Sequence, residues 1–271
     1  MPPIRSHRLS RSLRTSISTS NPQEEESLNA DIESIDDETW TTGDFTLVSS
    51  DLVVFKIESY HLLSASPVFG AASTASPGEQ RIEFADLELE TAPVLRLFLS
   101  LATTATFGPS FTPSAALEHE DPNLTLLPLI AFLQKYDAIR VLRAALSCID
   151  RLVSTGKMTA YAGLILGMAA DDVPTCTTAL NTEDARFPFP TPDDPVYCAG
   201  ANRSTVNPRG FPYNVWRKLS PQYTWALTRG WIPGQTDGFP DRFERLIKMA
   251  KAYDGEEVAD GEEVEVETAC Q

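Results

Sequence analysis

The chain has 271 residues, 42% of them hydrophobic, which suffices for one large or two small domains with a real core. Its net charge is −16. No apolar run approaches the ~18–20 residues of a membrane span, and the body lacks the basic patch that a phosphate-backbone binder needs, so a membrane-spanning helix and direct nucleic-acid binding are not expected.

The charge is unevenly placed. Residues 1–20 carry four arginines and no acid, residues 21–44 nine acids and no base, and residues 254–271 eight acids and no base. Residues 45–253 hold 18 bases and 21 acids, so the body is nearly neutral. Such acidic segments are ordinarily solvated tails, with capture of a basic partner as the alternative for 254–271. The cysteines, Cys148, Cys176, Cys198 and Cys270, lack CxxC spacing, and the histidines are only His7, His61 and His119. No zinc site and no cofactor are expected. No apolar signal-peptide core follows Met1, and the expectation is an intracellular protein, cytoplasmic or nuclear, with reduced thiols.

Residues 1–30 read as a disordered Arg- and Ser-rich tail. Arg-x-x-Arg-x-Ser occurs twice, ending at Ser10 and Ser16. Phosphorylation at either would add about −1.5 to −2 charges. An unmodified tail and a mitochondrial transit peptide are the other readings. Leu28, Ile32 and Ile35 fall at i, i+4 and i+7 behind Ser27, a helical spacing over residues 27–40.

Phe45 and Leu47, then Val53, Phe55 and Ile57, alternate as two half-buried strands around a Ser49-Ser50-Asp51 turn. Residues 61–69 follow as one short helix with Leu62, Leu63 and Phe69 turned to the core. Residues 74–80 are a loop and 81–85 a third strand. Thr91 then caps a helix to Leu101, with Pro93 in its first turn and Val94, Leu95, Phe98 and Leu101 on its apolar face. Residues 102–123, rich in Thr, Pro and Ala, read as an exposed loop insert.

Residues 124–136 form the next helix. Asp137 caps another over 138–153, whose stripe is Ile139, Leu142, Leu146, Ile149 and Val153, with Gly156 as its stop. Residues 159–170 are a nearly all-apolar helix, and Asp172-Val-Pro174 opens one more to Leu180. Residues 182–210 read as a linker. An aromatic-rich segment, 211–253, contains Phe211, Tyr213, Trp216, Tyr223, Trp225 and Trp231. In it Ser220-Pro221 starts a helix that Gly230 ends, and residues 240–253 form a last amphipathic helix. Residues 254–271 are the acidic tail.

Three groups carry a sharper reading beside a bland one. His61 has Asp51, Glu58, Ser64 and Ser66 nearby in sequence, but a Ser–His–Asp hydrolase needs a strained nucleophile turn, and no Gly-x-Ser-x-Gly occurs. Asp44 reads as a capping or pairing carboxylate, with ligand binding as the alternative. The aromatic cluster reads as the core of a small helical lobe, with a stacking platform for a base or a proline-rich peptide as the alternative.

Several stretches together resemble a BTB/POZ domain, of the kind found in fungi with a helical extension and an aromatic-rich C-terminal segment. They are Asp44 before the hairpin, Val53-Val54-Phe55, the run from His61 through Leu63 to Ser66-Pro67-Val-Phe69, Glu90-Thr91, and Lys135-Tyr136-Asp137. The resemblance implies an α+β fold over residues 31–181, a short mixed sheet with a helical bundle. It makes Asp44, His61, Leu63, Ser66, Pro67, Phe69, Lys135 and Tyr136 structural signature positions. It also implies protein–protein interaction as scaffold, adaptor or co-regulator, without chemistry, and a homodimer using the N-terminal region. The alternative is a substrate adaptor of a cullin-type ubiquitin ligase. The family's apolar-x-Glu scaffold contact would then fall near Leu117 and Glu118, and Trp225 would contact the client. An enzyme of unknown type is a more distant reading.

Overall fold

Three strands open the described chain: β1 (Ile35–Thr41), β2 (Phe45–Val48) and β3 (Val53–Ile57). The computed structural model describes residues 34–75, 80–108, 111, 126–182, 216–217, 219–232 and 238–255, and those from Ile35 onward belong to one compact unit. Strands β2 and β3 pair antiparallel, with Phe45 opposite Ile57 and Leu47 opposite Phe55, so the sequence alternation becomes one buried face.

Over residues 35–40, strand β1 corrects the helix expected for residues 27–40, of which 27–33 lie outside the described residues. It runs parallel to β3, with Ile35 opposite Val53 and Thr41 opposite Lys56, and the register shifts between Asp36 and Thr41. Asp37, only 2% exposed, occupies that irregularity. Its Oδ1 accepts the amides of Thr39 (2.8 Å) and Trp40 (3.0 Å), and its Oδ2 accepts Nε of Arg96 at 2.6 Å. Pairing with β3 holds the two ends of this strand and Asp37 takes the amides of its irregular middle, whereas the helical pattern rests on Leu28 and Ile32, outside the described residues.

Because β1 and β2 flank β3, the chain between them must cross the end of β3. Gly43 makes that crossing at φ 146°, and a Cβ there would lie 2.2 Å from the Ile57 carbonyl carbon. Only glycine fits such an approach.

Residues 59–75 form two helices rather than the single one expected: α1 (Ser59–Ala65) and α2 (Pro67–Ala75). Ser66, extended at φ −148° and ψ 132°, separates them, since the residue before a proline is pushed out of helical geometry. Strand β4 (Arg81–Glu83) returns parallel to β2 and completes a sheet in the order β1-β3-β2-β4.

Helix α3 (Ala92–Thr104) takes in the first residues of the expected insert. Thr91 holds its N-cap position without a side-chain bond, and Asp51 Oδ1 accepts the Ala92 amide at 2.8 Å instead. Helices α4 (Leu126–Lys135) and α5 (Ile139–Ser154) meet at a tight turn. Asp137 does not cap α5 as expected. It adopts φ 49° and ends α4, while Ala138 donates its amide to Leu133 O at 2.8 Å.

Helices α6 (Ala160–Ala169) and α7 (Val173–Asn181) are capped by Thr159 and Asp172, whose side chains accept the amides of Ala162 and Thr175. Helix α6 is apolar on all sides because α4, α5 and α7 surround it. A Cβ at Gly163 would meet Val153 at 2.5 Å, and one at Gly167 would meet Cys176 Sγ at 2.8 Å, so both glycines set close helix approaches.

Helices α8 (Pro221–Gly230) and α9 (Phe239–Gly255) pack on each other, and α9 packs on α7. Ser220 stands at the N-cap of α8 but its side chain caps nothing, so the helix starts on Pro221 alone. Tyr223, Leu227, Phe243 and Ile247 are buried in the same hydrophobic core as the sheet. The protein is thus α+β, a four-stranded sheet with nine helices among the described residues. None of these helices is long and apolar enough to cross a membrane.

Candidate functional site

Four signature residues, Ser66 at the α1–α2 break, Phe69 on α2, and Lys135 and Tyr136 at the α4–α5 turn, gather around Glu90, 3% exposed at the head of α3. Its Oε2 accepts the amides of Ala85 (2.8 Å) and Asp86 (2.7 Å), and its Oε1 accepts Lys135 Nζ (2.8 Å) and the Tyr136 hydroxyl (2.5 Å). Lys135 also reaches Asp86 Oδ2 at 3.1 Å. The Ser66 hydroxyl donates to the Tyr136 carbonyl and accepts the Val68 amide at 3.1 Å. Phe69 stacks on the Tyr136 ring, centroids 5.0 Å apart and planes 22° apart, and Phe84 and Phe132 meet the same ring. The helix break, the link after β4 and the α4–α5 turn are therefore tied together at one point.

Electrostatics hold each group of this clamp in one protonation state. Burial pushes the Glu90 pKa up, but the bonds from Lys135, Tyr136, Asp86 and Ala85 outweigh it and hold the carboxyl below its ordinary range. Lys135 is raised, chiefly by its bond to Glu90, and Tyr136 is raised by burial and by the same carboxylate. A fixed anion, a fixed cation and a neutral phenol do not exchange protons near neutral pH, so the arrangement suits a structural clamp.

The remaining signature positions lie beside it. Asp44 Oδ1 accepts the Ser59 amide at 2.6 Å and its Oδ2 accepts the Ser59 hydroxyl at 2.7 Å, which lowers its pKa and fastens the start of α1. His61 sits half-buried on α1 with its ring against Tyr60, centroids 4.0 Å apart. The imagined triad is not assembled. Asp51 caps α3, the Ser66 hydroxyl goes to the Tyr136 carbonyl, and the Ser64 hydroxyl donates to the His61 carbonyl at 3.1 Å.

Leu63 points the other way from its expected burial. It is 41% exposed, and Tyr60, three residues earlier on α1, is 61% exposed, while Leu62 and Ala65 take the core side. Pro67 and Val68 at the head of α2 are exposed as well. Arg140 Nη2 donates to Ser64 Oγ at 3.2 Å, which brings the start of α5 and its exposed Ile139 to the same helix. This apolar surface stands on the backbone that the Glu90 clamp fixes.

At the other end, Trp225 is partly exposed on α8, whereas Tyr223 is buried and Trp216 and Trp231 pack at the edge of the core. Ser10, Ser16, Leu117 and Glu118, with Phe211 and Tyr213, lie outside the described residues. Among the described residues no group of three or more His, Cys, Asp or Glu could hold a metal ion. Sequence reading took Glu90 only as part of the Glu90-Thr91 stretch of the resemblance and missed its hub role. Its position just before the Thr91 helix start is the one local signal, and Asp86 and Glu88 nearby blur it. No family model matches the chain, and no curated protein or solved structure matches it significantly.

Proposed function

We propose that the chain is a BTB/POZ-type protein–protein interaction module, a scaffold, adaptor or co-regulator in which no residue performs chemistry. Support for the fold comes from the β2–β3 hairpin leading into α1, the break at Ser66-Pro67, β4 parallel beside β2, and the meeting of Ser66 and Phe69 with Tyr136. The observation that carries the function is the exposed pair Tyr60 and Leu63 on a helix whose other side is buried. Apolar side chains placed outward on a rigid helix are suited to anchor a partner of ordinary interface size, roughly 800 Å² per side.

The partner proposed for this face is a second copy of the chain. Light scattering of the full chain at low and high salt is expected to give a dimer at both, since apolar burial is little screened. Tyr60→Asp with Leu63→Asp is expected to give a folded monomer whose thermal midpoint no longer depends on protein concentration, both residues being exposed in the single chain. A wild-type monomer at both salts, or a dimer that survives both substitutions, would overturn self-association through α1. The cullin-adaptor reading rests on Leu117 and Glu118, outside the described residues, and among the described residues Trp225 is its only proposed contact.

A further inference from the structure

Helix α5 carries a row of arginines in a chain whose net charge is −16. Ile139, Arg143, Ser147 and Arg151 follow one another at intervals of four, so they form one ridge, and all are exposed. Arg140, also exposed, flanks it, while the opposite side of the helix, with Ala145 and Ile149, is buried.

These arginines lack what cations elsewhere on the sheet and its helices have. Arg81 pairs with Glu83, Arg96 with Asp37, and Lys135 with Glu90 and Asp86. Among the described residues Arg140, Arg143 and Arg151 pair with no acid. Arg140 Nη2 donates to Ser64 Oγ at 3.2 Å, and Arg151 Nη2 reaches Cys148 Sγ at 3.8 Å. Composition is the reason. Helices α1, α3, α4, α6 and α7, which pack on α5, contain no Asp or Glu. Asp150, the acid of α5 itself, lies on the flank toward α7 with its Oδ1 buried. Asp137, in the turn before α5, makes no ion pair with the three.

The spacing of the ridge suits an extended chain. Every fourth residue of a helix recurs at ~6 Å, and every second residue of an extended strand turns to the same side at ~6.6–6.8 Å. An extended segment with acids at alternate positions therefore runs in step with the ridge over its ~18 Å length. Guanidinium forks hold carboxylates through paired N–H bonds, and the Ser147 hydroxyl between them is a further donor. Ile139, 46% exposed, offers an apolar end to the same row. Three cations match a few carboxylates. They do not match a nucleic acid with one charge per ~1.7 Å of duplex, which the rest of this acidic chain repels.

We propose that the ridge of Ile139, Arg143, Ser147 and Arg151 on α5 binds a short acidic segment of a partner protein, extended along the helix with its alternate carboxylates on Arg143 and Arg151. This contact goes beyond the self-association read from Tyr60 and Leu63, and either can fail without the other.

The test uses the full chain and a short fluorescein-labelled peptide of alternating Glu and Ser. Its fluorescence anisotropy should rise with added protein at low salt and fall back near 1 M salt, where the Debye length is ~3 Å. A Gln-Ser counterpart should show no rise. Arg143→Glu combined with Arg151→Glu should weaken binding about tenfold. Arg143→Gln with Arg151→Gln, which adds no repulsion, should weaken it by a smaller factor. Arg229→Glu with Arg245→Glu, exposed on α8 and α9, changes the net charge as much as the first pair and should bind as wild type does. Light scattering should give the wild-type mass for every variant, which keeps this test apart from that of self-association. No binding by wild type, equal weakening by the α5 and the control reversals, or a single-stranded DNA held more tightly than the peptide through Arg143 and Arg151 would overturn the proposal.

Discussion

Two regions of this molecule use the same three groups, a carboxylate, a tyrosine hydroxyl and a lysine, to opposite degrees. At the sheet end Glu90 binds Tyr136 and Lys135, and its side chain is 5% exposed. At the C-terminal end Asp171, in the turn between α6 and α7, accepts the Tyr223 hydroxyl at 3.0 Å and Lys251 at 2.7 Å, and its side chain is 63% exposed. Glu90 also receives two backbone amides, whereas Asp171 adds only its own carbonyl, which accepts Lys251 at 3.3 Å. The first is a fully bonded polar node inside the core. The second is a latch at the rim that joins α8 and α9 to the α6–α7 turn. Burial makes the difference, because an anion removed from water depends on every partner it has, while an exposed one exchanges a lost partner for solvent.

The comparison can be broken by removing each carboxylate. Glu90→Ala should cost about 3 kcal/mol, since it strands the Ala85 and Asp86 amides and the Tyr136 hydroxyl, as read by the shift in urea midpoint at constant slope. The same group sets a pH dependence. Its native pKa lies below its ordinary 4.5, so its contribution is complete above that value and is lost as the pH falls through the lower native one. The stability gap between wild type and Glu90→Gln should therefore narrow below pH 4.5 and stay constant from there to neutrality. A gap that widened on acidification would contradict the clamp.

Smaller changes sharpen the contrast. Tyr136→Phe keeps the ring against Phe69 but deletes one bond to a buried anion, for an expected loss of about 1.5 kcal/mol. Tyr223→Phe should cost about 1 kcal/mol, because its hydroxyl is buried although its acceptor is wet. Asp171→Asn retains a residue tolerant of φ 57° and removes only the exposed charge, and should cost about 0.5 kcal/mol or less. If Asp171→Asn matched Glu90→Ala in thermal or chemical denaturation, burial would not be what separates the two sites.

How much could be read in advance follows the same division. Asp172 was legible as a helix opening because the Thr175 amide it accepts lies three residues away, whereas Thr159 was read as a residue of the helix it caps. The Asp51 cap of α3 spans 41 residues, the Asp37–Arg96 pair 59 and the Glu90–Lys135 pair 45, and no local pattern announces such partners. Glu90 stayed hidden for that reason, although Lys135, Tyr136, Ser66 and Phe69 around it were singled out through the resemblance. Leu63 was misplaced because Leu62 and Leu63 are equally apolar, and only the packing of α1 against α2, α3 and α5 decides which one is buried.

By itself the sequence determined the elements whose causes are local: the hairpin, from a two-residue alternation, and the helices of residues 126–181, from their apolar runs and the breaks at Asp137, Gly156 and Asp172. It also determined where charge accumulates, since that is additive along the chain. Tertiary structure alone decided that residues 35–41 become a strand, because the edge of β3 and the distant Arg96, which binds Asp37, hold that stretch extended where its own sequence offers no packing for a helix. It also decided that Gly43 must pass over Ile57, and that a glutamate before α3 becomes the anchor of two distant turns, because those outcomes depend on which surfaces the folded topology brings together.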